Sequence, residues 1–300
     1  MLKKYILPGV VAAMVCGSGL DAAAAVVINE IMQSNIDCVY VDHEYPDSWI
    51  ELYNSGSDAV DLSGWRVGVK EKLSSCYELP AGTTIGGGRY LLVYCDKSDA
   101  GGLHTTFRLE SGKGGAVYLY DAEGRIADSL TGLKKMPAPG VAYGRTADGG
   151  SEWRYMVTAT PGESNSNTSG TCKSGDDVHP SPLFSHDSFV SVAGSDAFTL
   201  TVSVPAEAVD GAVLCVTTDG REPQLADAVG GREWSMPVDA TTVVRARLLG
   251  GGRLPVRSDV RSYIYLAEPS GMRVVSLVGD PDDFYDEVRG IYSGKPFPTI

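Results

Sequence analysis

Short apolar runs separated by turn residues dominate the chain from residue 26 onward. Clear examples are residues 26–31, 49–53, 65–69, 89–94 and 116–120, with Gly, Asn and Asp between them. Apolar runs at such intervals are typical of β-sandwiches and barrels. Apart from the apolar stretch near the N-terminus, no long window has helical periodicity. The pattern therefore predicts an all-β fold.

A polar stretch divides this pattern into two units. Residues 164–179 are mainly Ser, Asn, Thr, Gly and Asp, which predicts a linker. Residues 26–163 suffice for one sandwich, and residues 180–266 suffice for a second, smaller one. Residues 267–300 are too few to bury a core of their own. We therefore expect two β-sandwich domains in tandem, followed by a short terminal segment.

The first 25 residues, 1–25, have the order of a secretory signal peptide. Two lysines precede an apolar stretch, residues 6–15, and small residues follow at positions 22–25. This order predicts a signal peptide helix and an exported protein that is extracellular or at the cell surface. The alternative is a lipid anchor at Cys16, although Val15 stands where a small residue is usual. No second apolar segment reaches the length of a membrane span.

The charge and the cysteines narrow the classes of partner and site. A formal net charge of −13 disfavours nucleic acid as a partner, because a negative surface repels phosphates. An odd number of cysteines follows the predicted signal peptide: Cys38, Cys76, Cys95, Cys172 and Cys215. Export permits disulfides. Cys38 and Cys76 lie in predicted loops that flank the 49–69 hairpin, and we expect them to pair.

Two glutamates stand inside predicted strands. Glu51 lies in "WIELYNSGSDAVDLSGW" and Glu30 in "VVINEI". Alternate residues of a strand share a face, so Glu51 points the same way as Trp49 and Tyr53. Two acids on neighbouring strands could form an acid/base pair or bind a cation. We expect a structural role instead, on the less buried face or as acceptors of hydrogen bonds from the backbone and Arg.

The remaining candidates for chemistry are acidic loops and scattered histidines. The acids form two groups, Asp37, Asp42, Glu44 and Asp47, and Asp280, Asp282, Asp283 and Asp286. The histidines are His43, His104, His179 and His186. Calcium in the acidic loops and a metal pair at His179 and His186 are alternatives, but EF-hand and zinc spacings are absent. We predict no catalytic, cofactor-binding or metal site and no cofactor.

The first unit resembles the lamin-tail domain, an immunoglobulin-like sandwich. The resemblance is carried by "VVINEIMQSN", by the motif around Glu51, by "YELPAGTTIGGGRYLLVY", by "GGAVYLYDAEGRIADSL" and by "YGRTADGGSEWRYMVTATPGESN". The acidic insertion at residues 37–47 departs from the pattern. The resemblance implies an immunoglobulin-like fold for residues 26–163 and a module without enzymatic activity.

Two further resemblances concern the rest of the chain. "VLCVTTDGREPQ" and "TTVVRARLLGGGRLPVRSDVRSYIY" make residues 180–266 similar to the C-terminal sandwich of chitobiases, an accessory module. "RVVSLVGDPDDFYDEVRGIY" resembles the start of the CotH spore-coat kinase family, without that family's nucleotide-binding motifs. We expect residues 273–300 to add no kinase activity and residues 274–278 to be disordered or to add a strand to the second sandwich.

These observations together predict an exported scaffold or binding protein of the bacterial cell surface, with no catalytic activity. Its partner would be a protein or a glycan, and its oligomeric state is left open. One alternative is that the chain is the non-catalytic front of a CotH-type kinase. The other is a carbohydrate-binding accessory module, for which 15 tyrosines and 4 tryptophans could supply a stacking surface.

Overall fold

The computed structural model describes residues 26–36, 38–41, 46–98, 101–110, 112–192, 197–268, 271–286 and 290. The predicted signal peptide helix, Cys16 and part of the acidic insertion lie outside these residues. No helix in the described part of the chain is long and apolar enough to cross a membrane.

The first unit consists of short strands joined by turns. Its strands are β1 Val26–Met32, β2 Trp49–Asn54, β3 Val60–Asp61, β4 Arg66–Gly68, β5 Tyr77–Glu78, β6 Thr84–Ile85, β7 Tyr90–Tyr94, β8 Gly115–Tyr120, β9 Ile126–Leu133, β10 Ala142–Arg145, β11 Trp153–Met156 and β12 Thr171–Cys172. They form a six-stranded sheet in the order β12-β11-β10-β1-β2-β7 and a four-stranded sheet in the order β5-β4-β8-β9. A small ribbon of β3 and β6 and a 3-10 helix, Leu73–Ser75, complete the unit.

The alternation of apolar residues explains how the two sheets pack. Ile50 and Leu52 of β2 lie in one buried cluster with Val67 of β4 and Val117 and Leu119 of β8. The opposite face of the six-stranded sheet carries a second cluster that includes Trp49. Both faces of β2 are therefore covered, which the sequence pattern did not predict for the face that carries Glu51.

The second unit is a smaller sandwich. Its strands are β13 Leu183–Phe184, β14 Phe189–Val192, β15 Phe198–Ser203, β16 Ala212–Thr217, β17 Glu233–Val238, β18 Thr242–Gly250 and β19 Asp259–Leu266, with a 3-10 helix at Leu225–Asp227. The sheets have the orders β13-β15-β17 and β14-β19-β18-β16. Leu200, Leu214, Val244 and Tyr263 fill the core between them. The prediction of two immunoglobulin-like β-sandwiches in an all-β chain is confirmed.

The segment predicted as a linker, residues 164–179, is ordered against both sandwiches. It contains a 3-10 helix, Asn165–Asn167, and strand β12, which pairs with the edge strand β11. Two residues of this segment, Cys172 and Val178, join an apolar cluster. The polar composition predicted a linker, but the side chains and backbone groups of this segment form contacts and hydrogen bonds within the fold.

The apolar cluster around the segment joins the two sandwiches. Leu254 comes from the loop between β18 and β19 and is fully buried beside Met136, Tyr155 and Cys172. Backbone bonds reinforce the contact, since Leu254 N–H donates to Asp177 O at 2.8 Å and His179 N–H donates to Leu254 O at 3.1 Å. The two sandwiches therefore share an interface.

We expect trypsin to cut the chain slowly after Lys173. The bond follows β12, whose pairing and burial must be lost before a protease can bind the backbone. Lys113, in the turn before β8, provides the matched exposed bond. Limited proteolysis followed by mass spectrometry should show cleavage after Lys113 before cleavage after Lys173. Early release of two fragments by cleavage within residues 171–179 would contradict this interface.

The terminal segment differs from the prediction. No described sheet contains residues 274–278, so the strand predicted there as one alternative is wrong. The other alternative, disorder, stays a prediction. Leu277 lies with Met236 and Phe284 around a cleft beside the second sandwich. A short helix, α1 Pro281–Tyr285, follows, and the side chain of Asp280 caps it by accepting from Asp282 N–H.

Candidate functional site: a buried carboxylate network

Glu30 and Glu51 meet across β1 and β2. The two residues are direct partners in the antiparallel register, and both side chains are fully buried. A bulge between Ile28 and Glu30 places Asn29 on the same covered face, because one extra residue interrupts the alternation. The expectation that these acids lie on a less buried face is wrong.

Residues 160–165 cover the two carboxylates; we call them the closing segment. Thr160 donates to Glu30 twice, from its backbone N–H at 3.1 Å and from its hydroxyl at 2.6 Å. Gly162 N–H donates to Glu51 Oε2 at 2.6 Å. The glutamates therefore hold the closing segment, which follows β11, on the outer face of β1 and β2.

Asp148 is the third carboxylate of the network. It accepts from the hydroxyls of Ser164 at 2.6 Å and Tyr90 at 2.7 Å and from Asn165 N–H at 3.0 Å. The side-chain amide of Asn29 donates to Asp148 at 3.1 Å and to Glu51 at 3.0 Å. Asn29 thus connects the β1–β2 pair to the β10–β11 turn.

Small residues leave the space that this network needs. Gly144 of β10 lies opposite Glu30 in the register. A Cβ on Gly144 would lie 2.6 Å from Met156 Cε and 3.1 Å from Glu30 Cγ. Any side chain at this position would displace the glutamate or the core beside it.

The three carboxylates differ in charge state because their surroundings differ. Burial raises the pKa of Glu30 to about 7 and that of Glu51 to about 8, and hydrogen bonds offset only part of this effect. Burial also acts on Asp148, but hydrogen bonds from Ser164, Asn165 and Tyr90 hold the pKa of Asp148 below its usual value. At neutral pH the aspartate is ionised and the two glutamates retain protons for much of the time.

Arg145 does not neutralise these acids. Arg145 donates to Ile28 O at 2.6 Å and to Asp128 at 2.8 Å. In the described part of the chain, all hydrogen-bond partners of Glu30 and Glu51 are uncharged. The expected bonds from the backbone are present, and those expected from Arg are not.

A buried network of this kind can fix a segment but offers no access to a substrate. General acid/base catalysis needs a carboxyl group within hydrogen-bond reach of a bound substrate. Both glutamates have no exposed surface and are covered by the closing segment. Among the described residues, no group of three or more His, Cys, Asp or Glu side chains could hold a metal ion.

The predicted histidine and acid candidates are dispersed. His179 Nε2 lies 2.9 Å from Gly250 O, whereas His186 lies against Phe198 and Ser185, so the two are not brought together. His104 pairs with Asp96 at 2.5 Å. The four tail aspartates lie in and around α1.

The candidates of the acidic insertion lie partly outside the described residues. Asp37, Asp42, His43 and Glu44 lie outside the described residues. Asp47 forms an ion pair with Arg108 at 2.6 Å.

The cysteines predicted to pair lie in different surroundings. Cys38 packs on the cluster around Trp49, on the six-stranded sheet. Cys76 lies beside Gly68 of β4, on the other sheet. The Cys38–Cys76 disulfide stays a prediction.

The sequence did not single out Asp148, Asn29 or Asn165 as members of the network. One signal was present for Asn29: the core residues Ile28 and Ile31 are three positions apart, which breaks the alternation of β1. Asp148 and Asn165 lie in turns more than 100 residues from β1, and no local pattern connects them to it.

Comparison with known protein families finds a match to part of the chain. The family model of the Lamin Tail Domain, an immunoglobulin-like fold, matches residues 21–132. The predicted resemblance is confirmed for these residues, which include β1 and β2 but not the closing segment. No curated protein matches the chain. The chitobiase-like and CotH-like resemblances stay predictions.

Proposed function

We propose that this chain is an exported, non-catalytic binding or scaffold protein of the bacterial cell surface. The observation that carries the proposal is that the buried carboxylates bind the closing segment. Glu30 and Glu51 are the strongest candidates for chemistry, and both are enclosed and hydrogen-bonded to the closing segment. Residues 21–132 match an immunoglobulin-like module, a fold that supports a binding role.

The shared interface favours a scaffold. Burial of Leu254 among residues of the first sandwich limits independent motion of the two units. A fixed pair of sandwiches presents a constant surface to a partner, which lowers the entropy lost on binding. The predicted signal peptide, residues 1–25, supports export. The partner is a protein or a glycan.

Fractionation of a bacterium that expresses the whole chain tests this function. We expect the protein outside the cytoplasm, with a mature N-terminus at or near Val26, and saturable binding of the purified protein to intact cells. A lipid-modified Cys16 would keep the surface location and add an anchor. Unprocessed protein in the cytoplasm, or cell binding that does not saturate, would contradict the proposal.

A further inference from the structure

Two adjacent clefts in the first sandwich share a wall. The first, about 710 Å³, lies between the end of β9 and the turn after β12. The second, about 590 Å³, lies on the other side of Gln33 and Leu133, which line both. Such volumes are typical of ligand sites. We call the two clefts together the basic groove, since six basic residues line it: Lys70, Lys97, Arg108, Lys134, Lys135 and Lys173.

The lysines of the described chain are concentrated here. Of the seven lysines in the described residues, five line the groove, and only Lys72 and Lys113 do not. Two acidic residues, Glu110 and Asp176, also line it. Arg108 is engaged by Asp47, whereas no ion pair to a described residue involves the five lysines. A groove of excess positive charge in a chain of net charge −13 would attract an anion.

The residue shared by the two clefts, Gln33, is buried in the wall between them. Its side chain is only 4% exposed, and its Nε2 donates to Glu110 O at 2.7 Å. Its Oε1 has no donor among the described residues. This oxygen is itself enclosed, so Gln33 forms part of the wall between the two clefts.

Two other features of the walls resemble those of a binding site. Lys97 has φ of +60°, the left-handed region, and is the one described non-glycine residue there. Such strain is frequent at ligand sites. The rings of Tyr143 and Tyr155 line the first cleft, with centroids 4.9 Å apart, and provide apolar surface beside the lysines.

We propose that the basic groove binds acidic polysaccharide, with uronate carboxylates at the lysines. This rests on the proposed function and names its ligand class. A duplex nucleic acid carries one charge per about 1.7 Å, so the acidic remainder of this protein repels it more strongly than a polymer with more widely spaced charges. A uronic-acid chain has at most one carboxylate per sugar, which suits lysines dispersed along two clefts.

Calorimetric titration of the whole mature protein with alginate oligosaccharides tests the proposal. We expect binding that weakens as salt is added. The triple variant Lys134→Gln, Lys135→Gln, Lys173→Gln should bind about tenfold or more weakly, since three charge contacts are lost. The matched control Lys72→Gln, an exposed lysine outside the groove, should bind as the wild type does. Uncharged dextran oligosaccharides should not bind.

Equal alginate affinity for the triple variant and the wild type would overturn the proposal. So would single-stranded DNA that binds as tightly as alginate, because the groove would then select charge alone. Saturable binding to cells without any alginate binding would overturn the ligand class but leave the surface function intact. Groove-dependent alginate binding by a protein that stays in the cytoplasm would support the groove and contradict the surface function.

Discussion

Raising the pH from 5 to 9 should lower the free energy of unfolding of the protein, and Glu51→Gln should remove a large part of that decrease. Burial raises the pKa of Glu51 to about 8 and that of Glu30 to about 7, from an ordinary value of 4.5. Between pH 4.5 and pH 7 to 8, the folded state therefore binds more protons than the unfolded state. The stabilisation is therefore fully present below pH 4.5 and is lost as the pH rises through 7 to 8. Its size is on the order of 3 kcal/mol for Glu30 and 5 kcal/mol for Glu51.

Urea denaturation at several pH values between 5 and 9 measures this effect. Glu233→Gln, at an exposed position of β17, is the matched control and should keep the wild-type pH dependence. Glutamine at position 51 can still accept from Gly162 N–H but cannot ionise. A variant that loses stability between pH 5 and 9 as steeply as the wild type would show that the buried glutamate is not the titrating group.

Leu254→Ala should separate the unfolding of the two sandwiches. The side chain is fully buried in the cluster that joins them, and truncation of a buried leucine costs about 2–5 kcal/mol. This change weakens the interface between the two sandwiches and leaves the core of each sandwich intact. Calorimetry should show one broad or two separate transitions where the wild type shows one, and cleavage after Lys173 should become faster.

Leu225→Ala serves as the control for this change. Leu225 belongs to the same sandwich but is 56% exposed, so its truncation should alter stability by less than about 0.5 kcal/mol. If Leu254→Ala merely lowers a single, equally sharp transition, the interface does not couple the two sandwiches in the way their contacts suggest.

The positions of the main strands along the chain could be predicted from local patterns. The closing segment that buries Glu30 and Glu51 could not. Alternation in residues 49–53 correctly assigned Ile50 and Leu52 to one face and Glu51 to the other. Whether that other face meets water depends on residues 160–165, more than 100 positions away. Composition alone also predicted a solvated linker at residues 164–179. Instead, Ser164 donates to Asp148 and Asn165 donates to the backbone of β1.

The carboxylate network also constrains the order in which the chain can become stable. β1 pairs with β10, and Glu30 and Glu51 receive donors from Thr160 and Gly162, at sequence separations of 130 and 111. Contacts so distant along the chain close late and fold slowly. A chain truncated at residue 132, the end of the family match, would contain both acids but neither β10 nor the closing segment. Until about residue 165 has been synthesised, the β1–β2 pair must keep its carboxylates hydrated, and the first sandwich cannot reach its final state.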